Sequence, residues 1–378
     1  MKSQYSHAVL PKSNHDEQSR QDYYMDIRHF LAANIAPGNK LVFNNKIKPK
    51  YLKKYGREPK DRHEVKRVMV KNDYYQFYSA MQRHTQEMMW DSVIDTVERD
   101  LTRITNNAKD VSGKTGGSLK LDSKFLVPRY LTQYDIHLQP GGYHANLGDE
   151  DISAGALYDR GTYCYTLGNI GPKLDYLGKT LLEFYKKEYP NKTPLRILDM
   201  GCTVGQSTIA WCEAFPNAEV HGIDVGESLL RYAHARAEDL GYKIHFSQQS
   251  AEKTNFDNNS FDLVISHIIM HETSTKAVTE IFKESKRLLK DGGIMMHLDN
   301  TRLKEFPPLE SFLAAWEVYN NNENFGGIYR EMDLVNEATK AGFSEEKSRM
   351  AMVDIYKPSK VINYGTNVIK FPACVAIK

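Results

Sequence analysis

The sequence predicts an α/β domain with a doubly wound sheet in its C-terminal half, preceded by a mainly helical N-terminal domain. From residue 196 onward, short apolar runs alternate with helical patterns, as in an open and mostly parallel sheet. The last two apolar runs have no clear helix between them, which favours an antiparallel hairpin at the sheet edge. Between residues 22 and 103 the apolar spacing is helical instead.

Seven apolar runs are the predicted strands of a mostly parallel sheet. They are residues 196–200, 219–223, 244–247, 261–267, 293–299, 348–353 and 371–378. The predicted helices of this half are residues 205–215, 227–241, 275–293 and 330–343, and an amphipathic helix over 172–189 precedes the first strand. These elements place a domain boundary near residue 171.

The N-terminal part divides into three stretches. Residues 1–20 are polar and without periodicity, which predicts a disordered tail. Residues 21–171 then form the mainly helical domain, interrupted by the polar, Gly-rich run "NNAKDVSGKTGGSLKLDS". Such a large region before residues 172–378 predicts a substrate-binding lid, with Tyr23, Tyr24, Tyr143, His144 and Tyr158 as candidate wall residues.

Composition indicates an ordinary globular protein, with 41% hydrophobic and 26% charged residues. The four cysteines form no CxxC pair, no signal-peptide pattern opens the chain, and no window approaches a membrane span. We therefore expect a cytoplasmic protein that has no membrane partner. The sequence does not indicate an oligomeric state.

The net charge is only +2, which disfavours a nucleic-acid surface. Residues 40–71 are an exception, because their twelve Lys and Arg residues outnumber three Asp and Glu residues, a local charge of +9. This basic segment is either a solvated face or a contact for an anionic substrate, an acidic carrier protein or RNA.

Polar and small residues follow four of the predicted strands, at the edge where open α/β sheets bind ligands. Glycines in the first loop allow close approach of a ligand to the backbone, and an acid after the second strand can accept hydrogen bonds from both ribose hydroxyls of an adenosine. The candidate cofactor-binding residues at these ends are Asp199, Gly201, Thr203, Gly205, Gln206, Asp224, Val225, Ser250, Ala251, Glu252, Ser266 and His267.

The C-terminal half resembles the class I S-adenosylmethionine-dependent methyltransferases, in particular the small-molecule group similar to the ubiquinone and menaquinone biosynthesis enzymes. The resemblance runs through "ILDMGCTVGQST", "VHGIDVGESLLRYAHARA", "QSAEKTNFDNNSFDLVISHIIMHE", "EIFKESKRLLKDGGIMM" and "LVNEATKAGF". It implies a Rossmann-like sheet, S-adenosylmethionine as cofactor and methyl transfer to a small-molecule acceptor.

The resemblance also implies residue roles within the cofactor site. Asp199, Gly201 and Gly205 would hold the methionine moiety, and Asp224 the ribose. Val225 and Ala251 would face the adenine, and His267 the sulfonium side. Thr203 departs from the family by replacing a glycine, and we expect its β-branched side chain to keep φ negative. Ser250 departs by replacing an Asp.

Four residues are candidates for a general base. His271 and Glu272 come first, because the resemblance places them toward the substrate, and His297 and Asp299 at the end of the fifth strand come second. The run "HIIMHE" also has two histidines at metal-ligand spacing, but no third ligand can be identified from spacing, so we expect no metal.

Three alternatives remain beside small-molecule methyl transfer. A nicotinamide dinucleotide is disfavoured because the loop lacks the third glycine of G-x-G-x-x-G. The domain could bind the cofactor without transferring a methyl group, a hypothesis suggested by the departures from the family at Thr203 and Ser250. An RNA methyltransferase could dock through residues 40–71, although no Asn/Asp-Pro-Pro-aromatic motif follows the fourth strand.

Overall fold

The C-terminal half is built on one eight-stranded sheet. The computed structural model describes residues 3–300, 302–357 and 370–378. The strands are β1 Ser118–Lys120, β2 Arg196–Met200, β3 Glu219–Asp224, β4 His245–Gln248, β5 Phe261–His267, β6 Leu289–Leu298, β7 Ser348–Asp354 and β8 Lys370–Ile377. Their order across the sheet is β1-β4-β3-β2-β5-β6-β8-β7.

The pairing of the strands confirms the predicted fold class. Strands β1 to β6 pair in parallel, and β8 pairs antiparallel with both β6 and β7. The eighth strand, β1, comes from the Gly-rich run and pairs with β4 at the edge. It was missed because three residues are too few to show a period-2 pattern.

Helices surround the sheet and make up most of the N-terminal half. They are α1 His15–Phe30, α2 Ala36–Val42, α3 Lys48–Tyr55, α4 Arg62–Met69, α5 Asp73–Val111, α6 Arg129–Thr132, α7 Ser153–Tyr165, α8 Tyr176–Glu188, α9 Thr208–Ala214, α10 Glu227–Leu240, α11 Thr275–Leu288, α12 Pro308–Ala314, α13 Trp316–Asn320, α14 Gly326–Tyr329 and α15 Leu334–Lys340. In the described part of the chain, none of them combines the length and hydropathy that a bilayer crossing needs.

The N-terminal segment differs from the predicted disordered tail. Val9 is fully buried in an apolar cluster with α5, α7 and α10, and the backbone N–H of Tyr5 donates to the Pro172 carbonyl at 2.9 Å. Helix α1 begins after Asn14, which forms a capping box with Glu17. The buried apolar stretch of residues 9–11 is too short to show a periodic pattern in the sequence. The capping box of Asn14 and Glu17, in contrast, is a local motif that the sequence does show.

The N-terminal region packs directly against the sheet domain through α7 and α10. A Cβ atom on Gly155 of α7 would lie 2.2 Å from the Cβ atom of Tyr232 of α10, so only glycine permits this distance. Leu229 and Tyr232 of α10 also share an apolar cluster with Trp90 of α5. Because this core runs across residue 171, the domain boundary there remains a prediction.

The basic segment of residues 40–71 folds into α2, α3 and α4, and several of its cations pair with carboxylates. Arg57 contacts Glu64 at 2.7 Å, and Arg62 contacts Glu331 at 2.6 Å. Lys66 lies 3.3 Å from the centre of the Tyr319 ring. Part of the local positive charge is therefore used within the fold.

Candidate functional site

The loop after β2 is shaped by two glycines and held by a buried carboxylate. Gly201 and Gly205 both have a φ of +70°, which L side chains rarely adopt. Asp199, at the end of β2, is almost fully buried and accepts a 2.6 Å hydrogen bond from the Thr208 hydroxyl at the start of α9. Asp199 therefore fixes the loop between strand and helix.

Thr203 corrects the expectation of a negative φ. Its φ is +46°, an uncommon conformation for a β-branched residue. The backbone N–H of Thr203 donates to Asp224 Oδ2 at 3.0 Å, and its hydroxyl donates to Gln206 Oε1 at 2.8 Å. These two bonds hold the left-handed turn that a glycine would adopt without strain.

Asp224 ends β3 and receives hydrogen bonds on both carboxylate oxygens. Thr203 N–H donates to Oδ2, and Gly226 N–H donates to Oδ1, each at 3.0 Å. Burial raises the pKa of Asp224, and the backbone hydrogen bonds oppose that rise. Each oxygen keeps a second lone pair, so the carboxylate can still accept hydrogen bonds from a ligand.

A cavity lies at the carboxyl ends of the strands, where open α/β sheets bind ligands. Residues of the sheet domain and of the N-terminal region both line it. They are Tyr130, Leu131, Tyr143, Gly201, Thr203, Asp224, Val225, Gln249, Ser250, Ala251, Glu252, Ile269, Glu272, Thr273 and Ile281.

The structure brings seven of the predicted cofactor residues to this cavity. They are Gly201, Thr203, Asp224, Val225, Ser250, Ala251 and Glu252. The other five do not line it, and they are Asp199, Gly205, Gln206, Ser266 and His267. Several of these support the wall from behind: His267 Nδ1 lies 3.3 Å from Asp199 Oδ1, and Gln206 donates to the Tyr158 hydroxyl at 3.1 Å.

Glu272 is the candidate base that lines the cavity. Its Oε1 atom lies 2.9 Å from His137 Nε2 and accepts a 3.1 Å hydrogen bond from the Tyr143 hydroxyl. Burial and the neighbouring Glu272 raise the pKa of Tyr143 well above its ordinary value, so its hydroxyl stays protonated and donates. Both bonds end on one oxygen, which leaves the other for a ligand.

His271 lies behind Glu272 and is poorly suited to act as a base. It is 1% exposed, and its Nδ1 lies 2.8 Å from Asp299 Oδ1. Burial lowers its pKa, but the charges of Asp299, Glu323 and Glu272 together raise the pKa to about 9. At neutral pH this imidazole already carries its proton, so the structure argues against the role expected from the sequence.

His297 and Asp299 also lie away from the cavity. His297 is buried between the hydroxyls of Ser266, at 2.8 Å, and Ser285, at 3.2 Å, and burial lowers its pKa to about 3. Asp299 accepts the backbone N–H of Met270 at 2.7 Å as well as contacting His271. The geometry gives both residues a structural role instead of a catalytic one.

One of the five predicted substrate residues lines the cavity. Tyr143 does so, and Tyr158 packs edge-on against it with ring centres 5.9 Å apart. Tyr23 is 59% exposed, whereas Tyr24 is fully buried in the apolar core, and His144 does not line the cavity. A helical or alternating sequence pattern does not distinguish tyrosines that line a cavity from tyrosines that pack in the core. The predicted set therefore contains residues of both kinds.

The lining residues that sequence reasoning missed are Tyr130, Leu131, Gln249, Ile269, Thr273 and Ile281. Tyr130 donates to Glu252 Oε1 at 2.8 Å, which ties the N-terminal region to the loop after β4. Gln249 and Thr273 adjoin predicted residues and could have been included on that ground. Tyr130 and Leu131 lie on α6, a helix of four residues. Nothing in its sequence indicates that it packs over the strand ends.

A group of side chains with metal-ligand chemistry lies beside the cavity. One ligand atom each of His137, His271 and Glu323 lies within 4.8 Å of the others. His137 precedes the sheet domain and Glu323 follows α13, so no spacing rule applied to "HIIMHE" could have joined them.

The cavity lies at the carboxyl ends of a doubly wound sheet, and Asp224 at the end of β3 lines it. This arrangement is typical of domains that bind nucleotide-type ligands. Residues 197–293 match a family model described as a methyltransferase domain. This match agrees with the resemblance to S-adenosylmethionine-dependent methyltransferases that the sequence predicts.

Curated relatives of this part of the chain include two quinone-biosynthesis methyltransferases. A ubiquinone biosynthesis O-methyltransferase of Dinoroseobacter shibae is 32% identical over 33% of this chain and 50% of its own length. A demethylmenaquinone methyltransferase of Thermus thermophilus is 31% identical over 34% of this chain and 56% of its own length. The chain thus spans about half the length of these relatives.

A putative O-methyltransferase of Nostoc punctiforme is 15% identical, covers 96% of both chains and has a TM-score of 0.46.

Proposed function

We propose that the protein transfers a methyl group from S-adenosylmethionine to a small-molecule acceptor. The observation that supports this most is the composition of one cavity. The sheet domain supplies Gly201, Asp224 and Ala251, and the N-terminal region supplies Tyr130 and Tyr143. A lid over a cofactor edge excludes water and aligns an acceptor, which is most of what methyl transfer needs.

The sheet side of the cavity fits an adenosyl group. Asp224 offers carboxylate lone pairs to ribose hydroxyls, and Val225 and Ala251 offer apolar contact to a flat ring. A Cβ atom on Gly201 would lie 2.7 Å from the Ile269 side chain, so a side chain there would crowd the cavity. Ser250 can still exchange one hydrogen bond with a ligand.

The lid side fits the acceptor. S-adenosylmethionine, when bound, supplies a methyl group on a positively charged sulfur, which is a strong electrophile. Glu272 is the group we assign to the acceptor proton: it can accept an O–H or N–H hydrogen bond, and His137 and Tyr143 hold it in place. The N-terminal region of residues 21–171 thereby acts as the substrate lid.

The charge of the cavity favours a neutral or cationic acceptor. Asp224, Glu252 and Glu272 line it, and among the described lining residues there is no Lys, Arg or His. This arrangement runs against the anionic substrate suggested by residues 40–71, since an anion would be desolvated beside three carboxylates. The charge of the cavity also gives no support to an acidic carrier protein as the partner.

Four free thiols agree with the expected cytoplasmic setting.

The proposal is tested by turnover of acceptor panels with the full chain. Panels of neutral phenols or hydroxy-quinols, amines and carboxylates are incubated with S-adenosylmethionine, and S-adenosylhomocysteine release is measured. We expect release with the neutral or amine panels and a loss of at least about 100-fold for Glu272→Gln. Glu346→Gln, which removes an exposed carboxylate outside the cavity lining, is the matched control and should retain turnover. Turnover confined to carboxylates would contradict the charge argument.

A further inference from the structure

Three side chains from separate parts of the chain converge beside the cavity. His137 belongs to the turn after α6, His271 to the turn after β5, and Glu323 to the turn between α13 and α14. His271 Nε2 lies 3.9 Å from Glu323 Oε2, and His137 Nδ1 lies 3.6 Å from Glu323 Oε1. These ligand atoms lie within 4.8 Å of one another, close enough to share one ion if the Asn321 amide, whose Nδ2 lies 2.7 Å from His137 Nδ1, moves aside.

His271 is held in the manner of a metal-ligating histidine. Its Nδ1 atom lies 2.8 Å from Asp299 Oδ1, and Asp299 is itself fixed by the Met270 backbone N–H at 2.7 Å. A carboxylate on one ring nitrogen orients the other nitrogen and raises its basicity as a ligand. The oriented Nε2 atom faces the carboxylates of Glu272 and Glu323, each 3.9 Å away.

Glu323 brings a buried oxygen without a hydrogen bond. The residue is 3% exposed, and its Oε2 atom has no hydrogen-bond partner among the described residues. The nearest cation, Arg330, lies 3.5 Å away without forming a hydrogen bond. A buried carboxylate oxygen costs free energy unless a partner satisfies it, so this atom points to a missing ligand.

The fold also holds His137 in a strained conformation at this place. Its φ is +56°, in the left-handed region. The His137 carbonyl accepts hydrogen bonds from Gln86 Nε2 and from Trp90 Nε1, both at 2.8 Å, and its N–H donates to the Asn321 carbonyl at 3.0 Å. Three long-range bonds thus stabilise a backbone conformation that is uncommon for residues other than glycine.

We propose that His137, His271 and Glu323 bind one divalent transition-metal ion beside the cavity. Imidazole and carboxylate ligands suit Zn²⁺, Mn²⁺ and Fe²⁺, and two histidines with one carboxylate leave further coordination positions open. Glu272 lies 2.9 Å from His137 and can serve as an additional ligand from the cavity side. The ion would supply positive charge among Glu272, Glu323 and Asp299, with both imidazoles neutral.

The site would join three parts of the molecule that sequence separates. The ion would connect the N-terminal region through His137, the sheet through His271 and the segment before α14 through Glu323. It would therefore fix the lid over the cavity and set the position of Glu272. This role goes beyond methyl transfer itself and runs against the sequence-based expectation of no metal.

The test measures metal uptake by the full chain without cofactor or acceptor, so its outcome is separate from that of the proposed function. Chelator-treated protein is dialysed against Zn²⁺ or Mn²⁺ and then against metal-free buffer, and bound metal is counted by mass spectrometry. We expect the wild type to retain about one metal ion per chain. The metal affinity should be about 10–100-fold weaker in His137→Gln and in Glu323→Gln. His84→Gln, on the exposed face of α5, is the control and should bind as the wild type does.

Two results would overturn the proposal. One is a wild type that retains no stoichiometric Zn²⁺ or Mn²⁺, and the other is uptake that both ligand variants share with the wild type. If circular dichroism shows that a variant is unfolded, the visible spectrum of Co²⁺ added to the wild type decides. A spectrum of protein-coordinated Co²⁺ supports the site, and the spectrum of the hydrated ion contradicts it.

Discussion

Asp159 of α7 holds the N-terminal segment against the sheet domain, and its replacement by asparagine tests that connection. The carboxylate is fully buried, and its Oδ2 atom contacts His7 Nε2 at 3.0 Å, the Tyr232 hydroxyl at 2.8 Å and Arg236 Nε at 3.4 Å. Asp159→Asn keeps the shape of the side chain but leaves the buried Arg236 without its counter-charge.

The expected loss follows from the pKa of Asp159. Burial alone would raise this pKa, but Arg236, His7 and Tyr232 lower it from 3.8 to about 2. That difference corresponds to about 2 kcal/mol of folding free energy, and breaking a buried ion pair costs about 3–5 kcal/mol. We therefore expect Asp159→Asn to lower the free energy of unfolding by about 2–5 kcal/mol.

Urea denaturation followed by circular dichroism measures this loss, and pH gives its sign. Since the folded-state pKa is depressed, the stabilisation is present above pH 3.8 and is lost as the pH falls toward 2. The variant should lack this part of the acid dependence. Asp149→Asn, at an exposed position, is the control. A variant within about 0.5 kcal/mol of the wild type would refute the reasoning.

Three further predictions concern the loop, the helix packing and the basic segment. Thr203→Gly removes left-handed strain and one hydrogen bond, so S-adenosylhomocysteine affinity, measured by calorimetry, should stay within about threefold; a loss beyond tenfold would make the hydroxyl a ligand. Gly155→Ala forces α7 away from Tyr232 and should lower the unfolding free energy by about 1–3 kcal/mol in urea, and an unchanged value would refute that packing. The double variant Lys50→Gln, Lys53→Gln should bind RNA as weakly as the wild type in filter-binding assays. A wild-type RNA affinity that falls steeply with salt concentration and is lost in the double variant would favour RNA docking instead.

The sheet could be predicted because its signals are local. Apolar runs such as 196–200 and 261–267 coincide with strands β2 and β5, and the reversed pair β7 and β8 lacked an intervening helix in the sequence. Asp224 could be placed at the cavity for the same reason, because a parallel strand brings its carboxyl end to a known edge.

The lid side could not be predicted because its contacts are long-range. Tyr130 and Glu252 are joined by a hydrogen bond across 122 positions, and His137 and Glu272 across 135. No periodicity encodes such pairings. The roles expected of His271 and His297 stay predictions that the structure does not support, because neither residue lines the cavity. Spacing gives the strand end but not burial, and burial with neighbouring charges shifts the pKa of the two rings in opposite directions.

Calorimetric titration of S-adenosylhomocysteine into the wild type and Asp224→Ala tests the central claim most directly. The account predicts sub-millimolar binding by the wild type and a Kd about 5–150-fold higher in the variant, because a buried charged acceptor worth about 1–3 kcal/mol is removed. Asp257→Ala, outside the cavity lining, is the control and should bind like the wild type. No binding by the wild type, or equal affinities for wild type and Asp224→Ala, would contradict the account.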